Sequence, residues 1–300
     1  MTDDALSTYP GFSNPIRADH TAWLDAYRSE GTTIVLKSGA RVPIPLLFWQ
    51  TRALCVDGLI DADAADVVLA PFGRRAAHVN PANIKETQPG SGLAHAQIWA
   101  PQYGGTGVGP VEAVYGVIYV QPLRTCKVSD DRDLQHLWWW WYYGIAPLNH
   151  EFKGHVWGVP SQLAALETSY GETTKEVRLL ENGRTALRLR FDTAAVAPLR
   201  DVPAQVQFMT VARRATDDGE NLVVLRDYGP VLWAAAGPRL EVHRAPHTAV
   251  SRDLAAVDFK EVGALFFDGY DGVVKIYNAA GSAIDPGATA VPRFVDSRDD

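Results

Sequence analysis

Cysteine is scarce: Cys55 and Cys126 are the two in 300 residues, and they lie far apart. That excludes a disulfide framework and a cysteine zinc site, and a reducing cytoplasm is the simplest expected setting. Basic charge is also in short supply, with 28 Lys and Arg against 35 Asp and Glu, a formal net charge of -7. A chain with that balance lacks the electrostatic footprint of a nucleic-acid binder. Apolar runs are short: none reaches the roughly 20 residues that a membrane-spanning helix needs, and residues 1–15 hold no secretion-signal core. The glycine-rich stretch 104–110 lacks the Lys-Ser/Thr of a phosphate-binding loop and leads into a strand pattern, so no phosphate cradle is expected. No internal repeat is visible.

What is present reads as a globular chain, 47% hydrophobic and 21% charged, rich in short alternating segments. Residues 1–17 read as a loose arm. Asp19–Glu30 reads as a short helix with Trp23, Ala26 and Tyr27 on one face. Two strands broken at Gly39 are expected over Thr32–Trp49, and another over Arg52–Asp57. Asp61–Leu69 reads as a helix with acids in its first turn, ended by Pro71. Leu93–Tyr103 is expected as a strand that puts His95, Gln97 and Trp99 on one face. In the next, Glu112–Pro122, Glu112, Val114, Gly116 and Ile118 point one way and Ala113, Tyr115, Val117 and Tyr119 the other.

The aromatic run Leu137–Tyr143 suits a strand buried on both faces, either as core or as a subunit contact. Asn149 is the expected cap of a helix from His150 to Trp157. A strand is expected over Leu163–Glu167. Lys175–Leu180 and Thr185–Phe191 flank Asn182-Gly183, a strong hairpin signal. Short strands follow at Gln205–Arg214, Leu222–Arg226, Val231–Ala236 and Arg239–Arg244. The pattern predicts an α+β fold, mainly antiparallel β, as a curled sheet or β-barrel with a few short helices.

One stretch concentrates unusual residues: Gly154-His155-Val156-Trp157-Gly158-Val159-Pro160-Ser161-Gln162-Leu163. Its glycines, Trp157, Pro160 and Leu163 resemble the signature of the acetoacetate decarboxylase superfamily. Further features fall in matching order: the strand and helix between Arg52 and Pro71, the Gly-Pro-x-Glu feature ending at Glu112, and a closing segment over Val257–Tyr277. The resemblance spans about residues 45–278. It implies an extension over residues 1–40, one domain over 41–280, and a loose tail over 281–300. In that family a lysine pair follows the proline, and one of the two forms an imine with the substrate. Here Ser161 and Gln162 stand in place of the pair, and neither can form an imine.

By resemblance, Arg52 faces the pocket and could hold a carboxylate bidentately; the plainer alternative is a structural arginine. Glu112 matches a pocket glutamate suited to acid/base work, or else it is a solvated strand-end carboxylate. Gln97 falls where a second glutamate is common; its amide could orient substrate or simply pack. Trp157, Ser161 and Gln162 are candidate substrate contacts. Ser161 as a nucleophile would need a base, and the sequence alone places none; His155 is the nearest candidate. Lys153 could supply a displaced amine, although a lysine before a glycine is more often solvated. His150 and His155, five apart, make a poor chelating pair, so no metal is expected, and no cofactor.

The expected activity is therefore that of an acetoacetate decarboxylase-like enzyme without an imine. It would act on a carbonyl compound, a β-keto or 2-oxo acid or a polyketide-like molecule. Its chemistry would be acid/base and hydrogen-bond catalysis of lyase, dehydratase or cyclase type, with a place in secondary metabolism. The alternative is a non-catalytic small-molecule binding protein using the same pocket. A small-molecule partner is expected, with no nucleic acid and no membrane, and the resemblance implies a homo-oligomer.

Overall fold

The computed structural model describes residues 12–15, 32–44, 46–103, 105–106, 111–121, 135–157, 159–194, 199–216, 219–235 and 240–277. The helix expected over 19–30, most of the glycine-rich loop, Cys126 and the tail 281–300 lie outside them, as do the side chains of His155 and Trp157.

In chain order the first strands are β1 (Phe12–Pro15), β2 (Thr32–Val35), β3 (Arg41–Ile44), β4 (Leu46–Asp61), β5 (Val79–Asn80), β6 (Asn83–Thr87), β7 (Leu93–Tyr103), β8 (Gly105–Thr106) and β9 (Val111–Tyr119). They continue as β10 (Gln135–Gly144), β11 (Ser161–Leu163), β12 (Ala165–Tyr170), β13 (Thr174–Glu181), β14 (Arg184–Asp192), β15 (Leu199–Thr216), β16 (Gly219–Ala235), β17 (Leu240–Arg244) and β18 (Lys260–Tyr277). The helices are α1 (Ala62–Leu69), α2 (Pro147–Trp157) and α3 (Ala249–Ala256). None of these helices is long and apolar enough to cross a membrane.

The main sheet runs β1-β15-β16-β18-β4-β7-β9-β10-β11, with β8 beside β4. All its pairings are antiparallel except β10–β11 and β10–β15. The β10–β15 contact joins the two arms of the curl over four residue pairs, from Gln135↔Phe208 to Trp138↔Val211. The architecture is thus a curled sheet, held together along only part of its length, rather than a complete barrel. A second sheet, β12-β13-β14-β17, and two small hairpins, β2-β3 and β5-β6, complete the set.

Period-two alternation sorts the main sheet into two faces. Leu54, Val56 and Ile60 of β4, Ala94, Ala96, Ile98 and Ala100 of β7, and Val114 and Ile118 of β9 share one apolar core. Val177 and Leu179 of β13, Leu187, Leu189 and Phe191 of β14, and Val250 and Leu254 of α3 belong to it too. Since a whole sheet and a helix cover that side, it is the outside of the curl, called here the layered face. The opposite, inner face carries the residues in between.

Local signals behave as their chemistry demands. Asp61 caps α1, its carboxylate accepting from the Ala64 N–H at 2.7 Å. Asn182 and Gly183 both adopt positive φ, 51° and 73°, as a two-residue turn between β13 and β14 requires. Two glycines leave room for rings. A Cβ on Gly58 would sit 2.3 Å from the Phe259 ring, and one on Gly116 would sit 2.6 Å from Trp141. Other expectations need correction. The helix begins at Pro147 rather than His150, so Asn149 lies inside it and turns its amide to the Tyr142 hydroxyl instead of capping. The strand expected over Leu163–Glu167 is interrupted at Ala164, where the chain leaves the main sheet as β11 and enters the second as β12. The strands expected over Leu222–Arg226 and Val231–Ala236 belong to one continuous strand, β16, which ends at Ala235; Ala236 lies outside the described residues.

Candidate functional site

Register builds the inner face in rows. Asp57 pairs with Gln97, Gln97 with Val117, and Val117 with Trp139, across β4, β7, β9 and β10. One step along the strands, Cys55 pairs with Trp99, Trp99 with Tyr115, and Tyr115 with Tyr142. Tyr142 in turn pairs with Ser161 of β11, in parallel, so both side chains stand on the same side.

The first part of this face is a buried polar network. Asp57 and His95 are fully buried and Gln97 nearly so. Gln97 Nε2 donates to Asp57 Oδ1 at 2.7 Å, and His95 Nε2 lies 2.8 Å from the same oxygen. The Trp99 indole N–H and the Tyr119 hydroxyl both donate to Gln97 Oε1, each at 2.9 Å. Tyr119 also stacks on the His95 ring, centroids 4.1 Å apart. Burial, reinforced by Asp57, pushes the Tyr119 hydroxyl well above its ordinary value, so it remains a donor. Burial and Asp57 do the same to the Cys55 thiol, which leaves it protonated and poorly nucleophilic. Two atoms of the network, Asp57 Oδ2 and His95 Nδ1, are buried without a hydrogen-bond partner. Native interiors rarely tolerate that, and the pair is chemically able to accept donors or to relay a proton.

The second part is aromatic. Trp99, Tyr115, Trp139 and Tyr142 stack side by side, with Tyr115 4.3 Å from Trp139. Lys153, brought in by α2, is buried with them. Its Nζ lies 4.3 Å from the Trp139 centroid and 5.5 Å from that of Tyr142. Burial holds the Lys153 pKa well below the ordinary lysine value. Where β11 meets α2, His150 Nδ1 is 2.7 Å from Ser161 Oγ.

Arg52 and Glu112 do not join this face. Both fall in step with the apolar core residues of their strands, Arg52 with Leu54 and Val56 and Glu112 with Val114 and Ile118, and so lie on the layered face, in register through Gln102. Gln102 Nε2 donates to Glu112 Oε1 at 2.9 Å. The half-exposed Arg52 guanidinium donates to Asp268 Oδ1 at 3.0 Å and to the Tyr170 carbonyl at 2.6 Å, and lies over the Tyr170 and Phe266 rings. Convergence of Glu112 with Gln97 and Ser161 is therefore not what the structure holds: a period of two puts Glu112 and Gln97 on opposite sides. Gln162, next to Ser161, is exposed on the layered face, in a groove with Tyr143, Leu163 and Glu181. Trp157 ends α2, and its side chain is outside the described residues.

No protein-family model matches the chain, and no curated protein matches it by sequence. Solved structures do match by shape. The enduracididine biosynthesis enzyme MppR, in complex with pyruvate, superposes with a TM-score of 0.55 at 14% identity, over 86% of this chain and 95% of MppR. Acetoacetate decarboxylase from Legionella pneumophila superposes with a TM-score of 0.50 at 14% identity, over 78% of this chain and 87% of its own. The chain has the acetoacetate decarboxylase-like fold. Within this fold, Gln97 and Ser161 share the inner face, whereas Arg52, Glu112 and Gln162 are outside it. Asp57, His95 and Tyr119 are not among the sequence candidates for chemistry, and His150 is weighed there only as a chelator; the alternation of His95, Gln97 and Trp99 is the available signal. Among the described residues no group of three His, Cys, Asp or Glu side chains could hold a metal ion.

Proposed function

We propose that the protein is an acetoacetate decarboxylase-like enzyme acting on a carbonyl compound, a small keto acid in the simplest case, with its site on the inner face. The single observation that carries this reading is Lys153: an amine buried against Trp139 and Tyr142, its pKa pushed well down by burial. Desolvation of this kind disfavours the ammonium and enlarges the neutral fraction of a lysine, the form that is nucleophilic toward carbonyl carbon. In place of the imine-free route expected from Ser161 and Gln162, this reading takes the amine from Lys153, on α2 just before the motif stretch. An imine would serve as electron sink for lyase, dehydratase or cyclase chemistry. The Asp57–His95 pair and Gln97, on the same face, are the acid/base and orienting groups within this reading.

The test is reductive trapping. Pyruvate or acetoacetate with borohydride should add one reduced adduct per chain, mapped by peptide mass spectrometry to Lys153. Binding of pyruvate without any adduct would replace the enzyme reading with that of a non-catalytic carrier.

A further inference from the structure

Ser161 and His150 carry chemistry that the amine does not use. The hydroxyl stands beside Tyr142 by register, on the inner face. The Lys153 amine lies 5.5 Å from the centroid of that same ring. His150 and Lys153 are three residues apart on α2, hence neighbours on one side of the helix. His150 Nδ1 reaches Ser161 Oγ at 2.7 Å, and both residues are only half-buried. The amine and the hydroxyl thus stand at one aromatic ring, and a half-exposed imidazole is bonded to that hydroxyl.

We propose that Ser161 is a catalytic proton donor to a substrate carbonyl held at Lys153, and that His150 positions and recharges it; this rests on the imine reading above. The chemistry balances as follows. Lys153 Nζ adds to the carbonyl carbon, the C=O π pair moves to oxygen, and one proton passes from nitrogen to that oxygen. The carbinolamine must then lose its oxygen as water, which takes up one further proton, while the nitrogen lone pair closes the C=N bond. Ser161 Oγ–H delivers that proton to the leaving oxygen. His150 returns one to Oγ and recovers its own from solvent.

The experiment measures the rate of adduct formation with pyruvate under saturating cyanoborohydride, separately from its final yield. Positioned proton transfer contributes about 10²–10⁴-fold in rate. Ser161→Ala and His150→Ala are therefore expected to slow adduct formation by about 100-fold, with the final yield still one adduct on Lys153. Ser161→Thr, which keeps the hydroxyl, should restore most of the rate, and free imidazole should rescue His150→Ala but not Ser161→Ala. Unchanged rates in both alanine variants, or equal slowing in Ser161→Thr and Ser161→Ala, would overturn the relay and leave the Lys153 imine standing. A wild-type protein that forms no adduct would remove the imine reading, and the relay with it.

Discussion

Two buried lysines sit on opposite faces of the same sheet. Lys175 lies over the Phe266 ring on the layered face, beside Arg52, and donates to the carbonyls of Gly171 and Glu172. Lys153 lies over Trp139 and Tyr142 on the inner face. Burial lowers the pKa of both, Arg52 adding to the effect at Lys175. The surroundings differ. Lys175 ties down the turn between β12 and β13 through main-chain carbonyls, a structural role that occupies its protons. Lys153 lies over two rings that stack with Tyr115, one of them beside Ser161 by register, and in the proposed reading that is where a carbonyl compound meets it. Burial alone does not make a lysine reactive; what its nitrogen is presented to does.

The largest expected effect separates the two directly. Lys153→Met should abolish pyruvate trapping, whereas Lys175→Met should leave it intact; adducts mapped to Lys175 would reverse the assignment of the faces. Next in size is the polar network behind the inner face. Asp57→Leu strands the Gln97 amide and the His95 ring N–H, each loss costing about 1–3 kcal/mol. Arg52→Leu removes a half-exposed pair on the layered face, for which about 1 kcal/mol or less is expected. Urea unfolding of both variants measures the gap, and equal losses would mean that the network is slack.

A third comparison concerns stability and pH. Unfolded, Lys153 regains a pKa near the ordinary ~10.4, while the native amine lies well below it. Between those two values the unfolded chain binds more protons, so this group makes stability rise with pH and weakens it on the acid side. Lys153→Met should flatten that slope and raise stability on the acid side, where the desolvated ammonium costs most. A variant less stable than wild type there would show that the lysine is well satisfied where it lies. The smallest effect is expected for Glu112→Gln: trapping at Lys153 should keep its rate, because Glu112 is on the other face.

Much of this was legible from alternation. His95, Gln97 and Trp99 share a face in the sequence pattern and do so in the fold, and Glu112 groups with Val114 and Ile118 in both. The resemblance pulled Glu112 and Gln97 together, whereas the register Gln97↔Val117 and Gln102↔Glu112 keeps them apart. Register across strands is tertiary, so neither sequence pattern nor motif order alone carries it. Lys153 was visible as an amine near the motif, but its burial depends on α2 packing against β10. The pairing of Ser161 with His150 was hidden because the helix begins three residues earlier than its expected first residue, His150, which lies within the helix and meets Ser161 of β11.

The rings seated over Gly58 and Gly116 decide which glycines this chain can vary. At both positions any side chain displaces an aromatic ring at under 3 Å, so the fold admits nothing larger than hydrogen without repacking. Gly154, inside the motif stretch, is different: a Cβ there meets nothing within 4 Å. Alanine at 154 should strengthen α2 by about 0.5–1 kcal/mol. A mutational scan would then read positions 58 and 116 as closed and 154 as open, so the glycine that looks most like a signature is the one the architecture needs least.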